Sequence, residues 1–326
     1  MMFRRVLLLS TLVAASSAIA EPATTQLEAV SGAAEVDKTT QTEDVRFRTE
    51  LYNRMTVPVR LSGNGPYRFL VDTGANRTAI SRQLAAQLRL QPGAKASLHS
   101  VVGPSIVETA VVPSLQLTRK SVKVAEAPLL DATNMQADGI LGTDALRSQR
   151  VMFDFDANTM SIVPSVAPDF RAEPGTIVIQ ANRRNGRLLL TEATANGARL
   201  TVVIDTGSQV SVGNEALRRR LMGRRMLKGS EPVQLVAVTG EKIMGDQMTL
   251  RELEIGRVVL KGLAIVFVDA HTFRQLKLDD RPALLLGMNA MRAFKKVSID
   301  FANKKLRVVV PEHSMNRFRI ASAGAN

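Results

Sequence analysis

The sequence predicts an all-β protein of two homologous lobes that are related by a pseudo-two-fold axis. Two observations carry this prediction. The triplet Asp-Thr-Gly occurs twice, in FLVDTGAN at Asp72 and in VVIDTGSQ at Asp205, each time after three apolar residues. Both triplets are followed downstream by the same pattern: two apolar residues and a Gly, a short segment containing Ala, then a basic stretch and two short strands. Self-similarity of this kind indicates a duplicated unit.

The downstream repeat is Ile140-Leu141-Gly142 in the first lobe and Leu285-Leu286-Gly287 in the second. The chain runs 70 residues from the Asp to this Gly in the first lobe and 82 residues in the second. Because the order of the elements is the same, loop insertions account for the difference.

Short apolar and β-branched runs such as VPVRL, YRFLVDT, VVPSLQL and VMFDF predict strands, and turn signals such as SGNGP separate them. Helical pattern is scarce. The two clearest helix candidates, residues 81–90 and 214–221, both begin about nine residues after the Asp of a triplet. Their equivalent positions are further support for two copies of one plan.

The N-terminus has the features of a secretory signal peptide. Arg4 and Arg5 precede a short apolar run, and Ala18-Ile19-Ala20 gives the small-residue pattern of a cleavage site before Glu21. We therefore expect a periplasmic or secreted protein with no integral membrane segment after cleavage. The chain contains no cysteine, which excludes disulfides and thiolate metal sites.

Local amino-acid composition predicts where the leader, the linker and the two lobes begin and end. Residues 21–50 are rich in Thr, Ala, Ser and acidic side chains, which predicts a disordered leader. Three prolines in PSVAPDFRAEP predict a connection between the lobes. The predicted divisions are a signal peptide at 1–20, a leader at 21–50, an N-terminal lobe at 51–166, a linker at 167–174, a C-terminal lobe at 175–311 and a flexible tail at 312–326.

The chain is basic, with 43 Lys and Arg against 30 Asp and Glu and a net charge of +13. Such a surface attracts anionic partners. However, there is no tryptophan and tyrosine occurs only at Tyr52 and Tyr67, so the sequence does not favour nucleic-acid binding. The densest basic run is interpreted as a solvated helix face; it comprises Arg218, Arg219, Arg220, Arg224, Arg225 and Lys228.

An Asp that ends an apolar strand before Thr and Gly presents its carboxylate in a tight turn. A single triplet is ordinary turn chemistry, but two on homologous lobes would place Asp72 and Asp205 side by side. Two adjacent carboxylates share one proton, so one is a base for a bound water while the other is an acid for an amide carbonyl. This chemistry needs neither metal nor cofactor. The histidines are widely spaced and are interpreted as ordinary surface residues; they are His99, His271 and His313.

On these motifs the chain resembles retropepsin-like (clan AA) aspartic proteases, in a bacterial exported form whose two acid-protease lobes lie in tandem as in pepsin-type enzymes. The resemblance covers most of residues 52–311 and rests on DTGA, DTGS and the two apolar-apolar-Gly motifs. It implies closed β-barrel-like lobes with few short helices, an endopeptidase acting on peptide or protein, and a monomer whose lobes pair within the chain. It further implies loop-support roles for Thr73, Gly74, Ala75, Thr206, Gly207 and Ser208, and a backing role for Ile140, Leu141, Gly142, Leu285, Leu286 and Gly287.

The resemblance also implies that hairpins near residues 101–107 and 236–245 are the flaps that cover the substrate. Two departures argue against the retroviral and pepsin classes. Neither hairpin contains a tyrosine, and the acidic-Arg pair of retroviral members is absent. The positions of that pair hold Asn76 and Gln209, with Thr143 and Met288 after the two glycines.

The lobes differ in the residue after the triplet, which is Ala75 in one and Ser208 in the other. Because a hydroxyl bonded to a carboxylate favours its charged form, the sequence predicts that Asp205 is the ionised partner. Two alternatives to a protease acting as one chain remain. One is a peptide- or polymer-binding module that hydrolyses nothing, and the other is pairing of lobes between chains.

Overall fold

The computed structural model describes residues 43–46, 48–49, 55–117, 121–167, 173–184, 187–195 and 197–311. Strands dominate and the helices are short, and the strands form two lobes of the same topology. The predicted all-β, two-lobe architecture is therefore confirmed. Within these ranges, no helix has the length and apolar character that crossing a bilayer requires. The predicted signal peptide, most of the leader and the predicted tail lie outside the described residues.

The N-terminal lobe closes six strands into a barrel. Its seven-stranded sheet runs β2-β3-β4-β10-β5-β9-β8, and β3 also pairs with β8. Its elements are β1 Glu43–Arg46, β2 Arg48–Thr49, β3 Met55–Leu61, β4 Asn64–Val71, β5 Ala79–Ser81, α1 Arg82–Gln87, β6 Ala96–His99, β7 Pro104–Val107, β8 Thr109–Gln116, β9 Ser121–Leu130, α2 Ala132–Met135, β10 Gly139–Leu141, α3 Thr143–Leu146, β11 Gln149–Asp154 and β12 Thr159–Pro164.

The C-terminal lobe repeats this closure. Its eight-stranded sheet runs β14-β15-β16-β21-β17-β20-β19-β18, and β15 also pairs with β19. Its elements are β13 Thr176–Gln180, β14 Asn182–Arg184, β15 Arg187–Ala195, β16 Ala198–Ile204, β17 Ser211–Gly213, α4 Glu215–Met222, β18 Leu227–Val236, β19 Lys242–Ile255, β20 Val258–Phe267, α5 His271–Gln275, β21 Ala283–Leu286, α6 Met288–Met291, β22 Lys296–Asp300 and β23 Lys305–Val309.

A third sheet joins the lobes. It has six strands in the order β1-β12-β11-β22-β23-β13, so three strands come from each side of the boundary. The central pair is antiparallel, with Met152 opposite Ser298. Buried side chains on these strands, Phe153 and Ile299 among them, belong to one hydrophobic cluster that extends into both barrels. Burial of this continuous apolar surface holds the lobes together.

Helices form at both predicted positions because each has a capping residue. The Ser81 hydroxyl accepts from Leu84 N at 3.0 Å, and Asn214 Oδ1 accepts from Leu217 N at 2.9 Å. These are N-cap bonds that satisfy a free amide of the first turn. On α4 the basic run is solvent-exposed, as predicted, apart from the half-buried Arg218, which pairs with Asp246 at 2.8 Å.

One prediction needs correction. The leader at 21–50 was expected to be disordered, yet β1 at Glu43–Arg46 pairs with β12, and β2 at Arg48–Thr49 pairs with β3. Amino-acid composition wrongly predicted disorder here. Backbone hydrogen bonds hold an edge strand in place, and these depend little on the side chains. By pseudo-symmetry β1 is the counterpart of β13, which occupies the other edge of the interlobe sheet.

Candidate active site

Both triplets lie where a strand leaves its barrel. Asp72 follows β4 and its backbone amide donates to Leu141 O at 3.0 Å, while Asp205 follows β16 and donates to Leu286 O at 3.1 Å. The strands that supply these carbonyls, β10 and β21, run parallel to β4 and β16. Each Asp is therefore fixed at the end of a buried strand pair.

The glycine of each triplet lies against the aspartate of the other lobe. A Cβ built on Gly207 would lie 2.2 Å from Asp72 Cγ, and one built on Gly74 would lie 2.6 Å from Asp205 Oδ1. No side chain fits at either place. The structure thus brings Asp72 and Asp205 to one locus across the lobe boundary, within a single chain.

The two threonines bond reciprocally beneath the carboxylates. Thr73 N donates to Thr206 Oγ1 and Thr206 N donates to Thr73 Oγ1, both at 3.1 Å. Each hydroxyl then donates onward to the opposite strand, Thr73 to Ile204 O at 3.0 Å and Thr206 to Val71 O at 2.8 Å. Both threonines are buried, so these four bonds tie the loops together in a site shielded from water.

The apolar-apolar-Gly motifs lie behind the loops. Gly142 contacts the backbone of Arg77, where a Cβ would come within 2.4 Å of its carbonyl carbon. Gly287 stands in the same relation to Val210, with a Cβ 2.4 Å from its carbonyl oxygen. The remaining residues of the motifs are buried; they are Ile140, Leu141, Leu285 and Leu286. The two glycines therefore allow each strand to back its active-site loop closely.

Backbone amides of its own loop donate to each carboxylate. Asp72 Oδ1 accepts from the amides of Gly74 at 2.7 Å and Ala75 at 3.0 Å, and Asp205 Oδ1 accepts from the amide of Gly207 at 3.1 Å. Burial, and then the charge of Asp72, raise the pKa of Asp205 to about 7, against the opposing effects of Arg187 and of backbone bonds from Gly207 and Ser208. The two carboxyl groups therefore titrate as a coupled pair, and their surroundings favour a state in which they share one proton.

The family model described as aspartyl protease matches residues 57–145 and 191–290, one segment in each lobe. Together these segments make up more than half of the chain. The protein belongs to the aspartyl protease family. No match is found among the curated proteins.

In this member of the family the Ser208 hydroxyl does not act as predicted. Its Oγ donates to Val210 O at 2.7 Å, within its own loop. The prediction that the Ser208 hydroxyl bonds to the Asp205 carboxylate is therefore wrong, because this hydroxyl donates its hydrogen bond to the Val210 carbonyl. Ala75 contributes its backbone instead, as a donor to Asp72 and as the acceptor for Thr143 N at 2.9 Å.

The histidine prediction also needs correction. His99 on β6 and His271 on α5 stack with ring centroids 5.1 Å apart, and His99 Nδ1 lies 2.8 Å from His271 Nε2. Burial lowers the pKa of both rings, and His271 and Arg187 further lower that of His99. Closure of the lobes brings together residues that are far apart in sequence. His313 lies outside the described residues.

Two hairpins cover the carboxylates, at the places predicted for flaps. Strands β6 and β7 form the first, and β18 and β19 form the second. Together with the loops of Asp72 and Asp205 they line a cleft of about 490 Å³, whose walls include Leu98, Val101 and Leu235. Both carboxylates therefore line a cleft whose walls are partly apolar and partly polar.

Sequence reasoning missed the groups that brace the loops. Thr78 Oγ1 donates to Asp144 Oδ1 at 2.7 Å, and in the other lobe Ser211 Oγ donates to Asn289 Oδ1 at 2.8 Å. The signal was present, since Asp144 and Asn289 both stand two residues after the backing glycine. These bonds brace each loop without the retroviral ion pair.

A further missed residue is Arg187, at the start of β15. It is 8% exposed and lines the cleft that holds both carboxylates. Nothing in its sequence context distinguishes it from the other arginines of a basic chain.

Gly207→Ala tests the close approach of the loops. The added methyl meets the Asp72 carboxylate, which Gly74 N and Ala75 N hold in place, so it must displace that group or part the lobes. We expect the free energy of unfolding in urea to fall by about 1–3 kcal/mol. Gly223→Ala is the matched control, because its Cβ would find its nearest neighbour at 3.6 Å. Equal stability of the two variants would contradict the packing described here.

Proposed function

We propose that this protein is an aspartic-type endopeptidase that hydrolyses peptide bonds with a water held between Asp72 and Asp205. The observation that carries the proposal is the juxtaposition of the two carboxylates by Gly74 and Gly207. One ionised and one protonated carboxyl group are the base and the acid that amide hydrolysis needs.

In the proposed mechanism Asp72 is the base, because burial raises the pKa of Asp205 and so disfavours its ionisation. It takes a proton from the water as the oxygen attacks the scissile carbonyl carbon, and Asp205 gives its proton to the carbonyl oxygen. The resulting tetrahedral diol collapses as the C–N bond breaks. Asp72 then returns its proton to the leaving nitrogen, and a hydroxyl of the diol returns one to Asp205, which restores the starting state.

The substrate is proposed to be a peptide in extended form, lying in the cleft beneath the two hairpins. A larger cavity of about 720 Å³ lies on the C-terminal lobe, lined by β20 and α6 among others, but neither Asp72 nor Asp205 lines it. We therefore assign the substrate to the smaller cleft. We further propose a monomer that acts in the periplasm or outside the cell.

The second candidate is a module of the same fold that binds peptide or polymer and does not hydrolyse it. The net charge of +13 favours this candidate, because a basic surface attracts an anionic polymer whether or not the bound chain is cut.

Incubation of the purified full chain with denatured casein decides between them. The protease proposal predicts new peptide termini, inhibition by a statine-type compound, and no products from Asp72→Asn. Casein that is retained by the protein but uncut at every pH from 4 to 8 would favour the binding module.

A further inference from the structure

Arg187 links the C-terminal lobe to the active-site loop of the N-terminal lobe. Its Nε donates to the carbonyl oxygen of Gly74 at 2.6 Å. Gly74 is the residue whose Cα lies against the Asp205 carboxylate, and its amide donates to Asp72. One guanidinium group thus contacts the peptide unit that lies between the two carboxylates.

Little solvent is in contact with the charged group of Arg187. The residue is 92% buried, and its Nη1 has no hydrogen-bond partner among the residues that the structure describes. Burial lowers the pKa of Arg187, while the charges of Asp205 and Asp72 act in the opposite direction. An arginine stays protonated in such surroundings. It therefore places a permanent positive charge beside the pair.

The net charge of Arg187, Asp72 and Asp205 together bears on the protonation of the pair. With both carboxyl groups protonated the three groups carry +1, with one ionised they are neutral, and with both ionised they carry −1. Because Arg187 is buried and both aspartates are half-buried, the neutral state is favoured. Without the arginine, the neutral state would be the doubly protonated one, which has no base.

We propose that Arg187 is a positioning residue that keeps the Asp72–Asp205 pair singly ionised, by its buried charge, and that holds the Gly74 loop through its Nε–H. This inference rests on the proposed function and adds to it the group that sets the pH range of the site.

Other charged groups near the pair do not take this role. Arg77 and His99 also line the cleft, and His271 contacts His99. Arg77 acts on Asp144. The lowered pKa of His99 leaves that ring neutral at neutral pH. Of the cationic side chains, Arg187 is the one whose charge opposes the raised pKa of Asp205.

Charge and hydrogen bonding can be separated by substitution in the full chain. Arg187→Gln keeps a donor for Gly74 O and removes the charge, whereas Arg187→Lys keeps the charge. Arg187→Met is a second neutral variant, and the titration is measured on whichever neutral variant keeps the wild-type circular dichroism. Arg199→Gln is the matched control, since Arg199 is exposed on the neighbouring strand β16.

Two quantities are measured for each variant. The first is the titration midpoint of the carboxyl ¹³C resonance that disappears in Asp205→Asn, and the second is the pH profile of kcat/KM. Loss of the charge should move the midpoint and both limbs of the profile to higher pH by about 1–3 pH units. Because Arg187→Lys keeps the charge, its midpoint should lie close to that of wild type. Arg199→Gln should cause no shift.

An unshifted carboxyl midpoint in the neutral variant, or a shift in the lysine variant as large as in the neutral one, would overturn the proposal. The NMR titration needs no turnover. Absence of hydrolysis in every variant would therefore refute the proposed function alone, and the carboxyl midpoints would still decide the role of Arg187.

Discussion

Replacing Asp205 by Asn is expected to abolish peptide hydrolysis and, at pH 8, to stabilise the folded protein. Asparagine cannot give its proton to the carbonyl oxygen, so kcat/KM should fall by about 10²- to 10⁴-fold. At the same time the substitution removes a carboxyl group that burial and Asp72 make costly to ionise, since they raise its pKa to about 7. A catalytic group that costs stability is recognised when its replacement lowers activity and raises stability. Replacement of a structural group lowers stability.

The sign of the stability effect follows from proton linkage. Between the unfolded pKa of 3.8 and the folded value of about 7, the folded state binds more protons than the unfolded state. Wild-type stability therefore falls as pH rises through this window, and below it both states are protonated. The gain from Asp205→Asn should be greatest above pH 7, with an upper limit of about 4 kcal/mol, and should vanish as the pH approaches 4.

Urea unfolding of wild type and Asp205→Asn at a series of pH values measures this gain. Asp279→Asn is the matched control, because that carboxylate is exposed and its removal should leave the pH dependence unchanged. A variant that is less stable than wild type at pH 8, or a difference that does not depend on pH, would show that Asp205 is not destabilised by its surroundings.

The sequence alone could predict the parts of the site whose motifs occur in both lobes. The two triplets and the two apolar-apolar-Gly motifs lie at equivalent places in each lobe, so a duplicated fold with paired Asp72 and Asp205 followed from their spacing. Repetition works as a signal because both copies must fold to the same backbone, with a glycine wherever another chain segment approaches closely.

Features that occur once, or that depend on closure of the lobes, could not be predicted in this way. His99 and His271 meet only because the β6–β7 hairpin lies against α5. Arg187 reaches the Gly74 carbonyl through its tertiary position, 113 residues away in sequence. Ser208 was misassigned because sequence gives a hydroxyl but not the carbonyl that competes for it.

A buried ion pair in the interlobe sheet gives the second large effect. Arg150 on β11 and Asp300 on β22 lie directly opposite each other, with Nη1 and Oδ2 3.8 Å apart and side chains only 5% and 6% exposed. Arg150 Nη2 also donates to Ala167 O at 3.0 Å, and Asp300 accepts two bonds from Asn303 at 2.8 and 2.9 Å. Both charges are thus held by further bonds in the middle of the sheet.

Arg150→Ala should lower the free energy of unfolding by about 3–5 kcal/mol, because it leaves Asp300 buried without its cation. Urea unfolding measures this loss. The control is Lys261→Ala, which removes the cation of an exposed pair with Glu252 at 3.6 Å, and it should cost less than about 1 kcal/mol. Equal losses in the two variants would contradict the burial that sets the pairs apart.

The double variant Arg150→Met, Asp300→Asn separates the value of the pair from the cost of breaking it. Neither side chain is then charged, so most of the stability lost in Arg150→Ala should return, although the salt bridge is absent. If the double variant is instead as unstable as the single one, attraction between the charges is itself what joins the lobes. Because β11 and β22 are the central strands of the interlobe sheet, that result would make this pair, together with Thr73 and Thr206, a direct determinant of how the two aspartates meet.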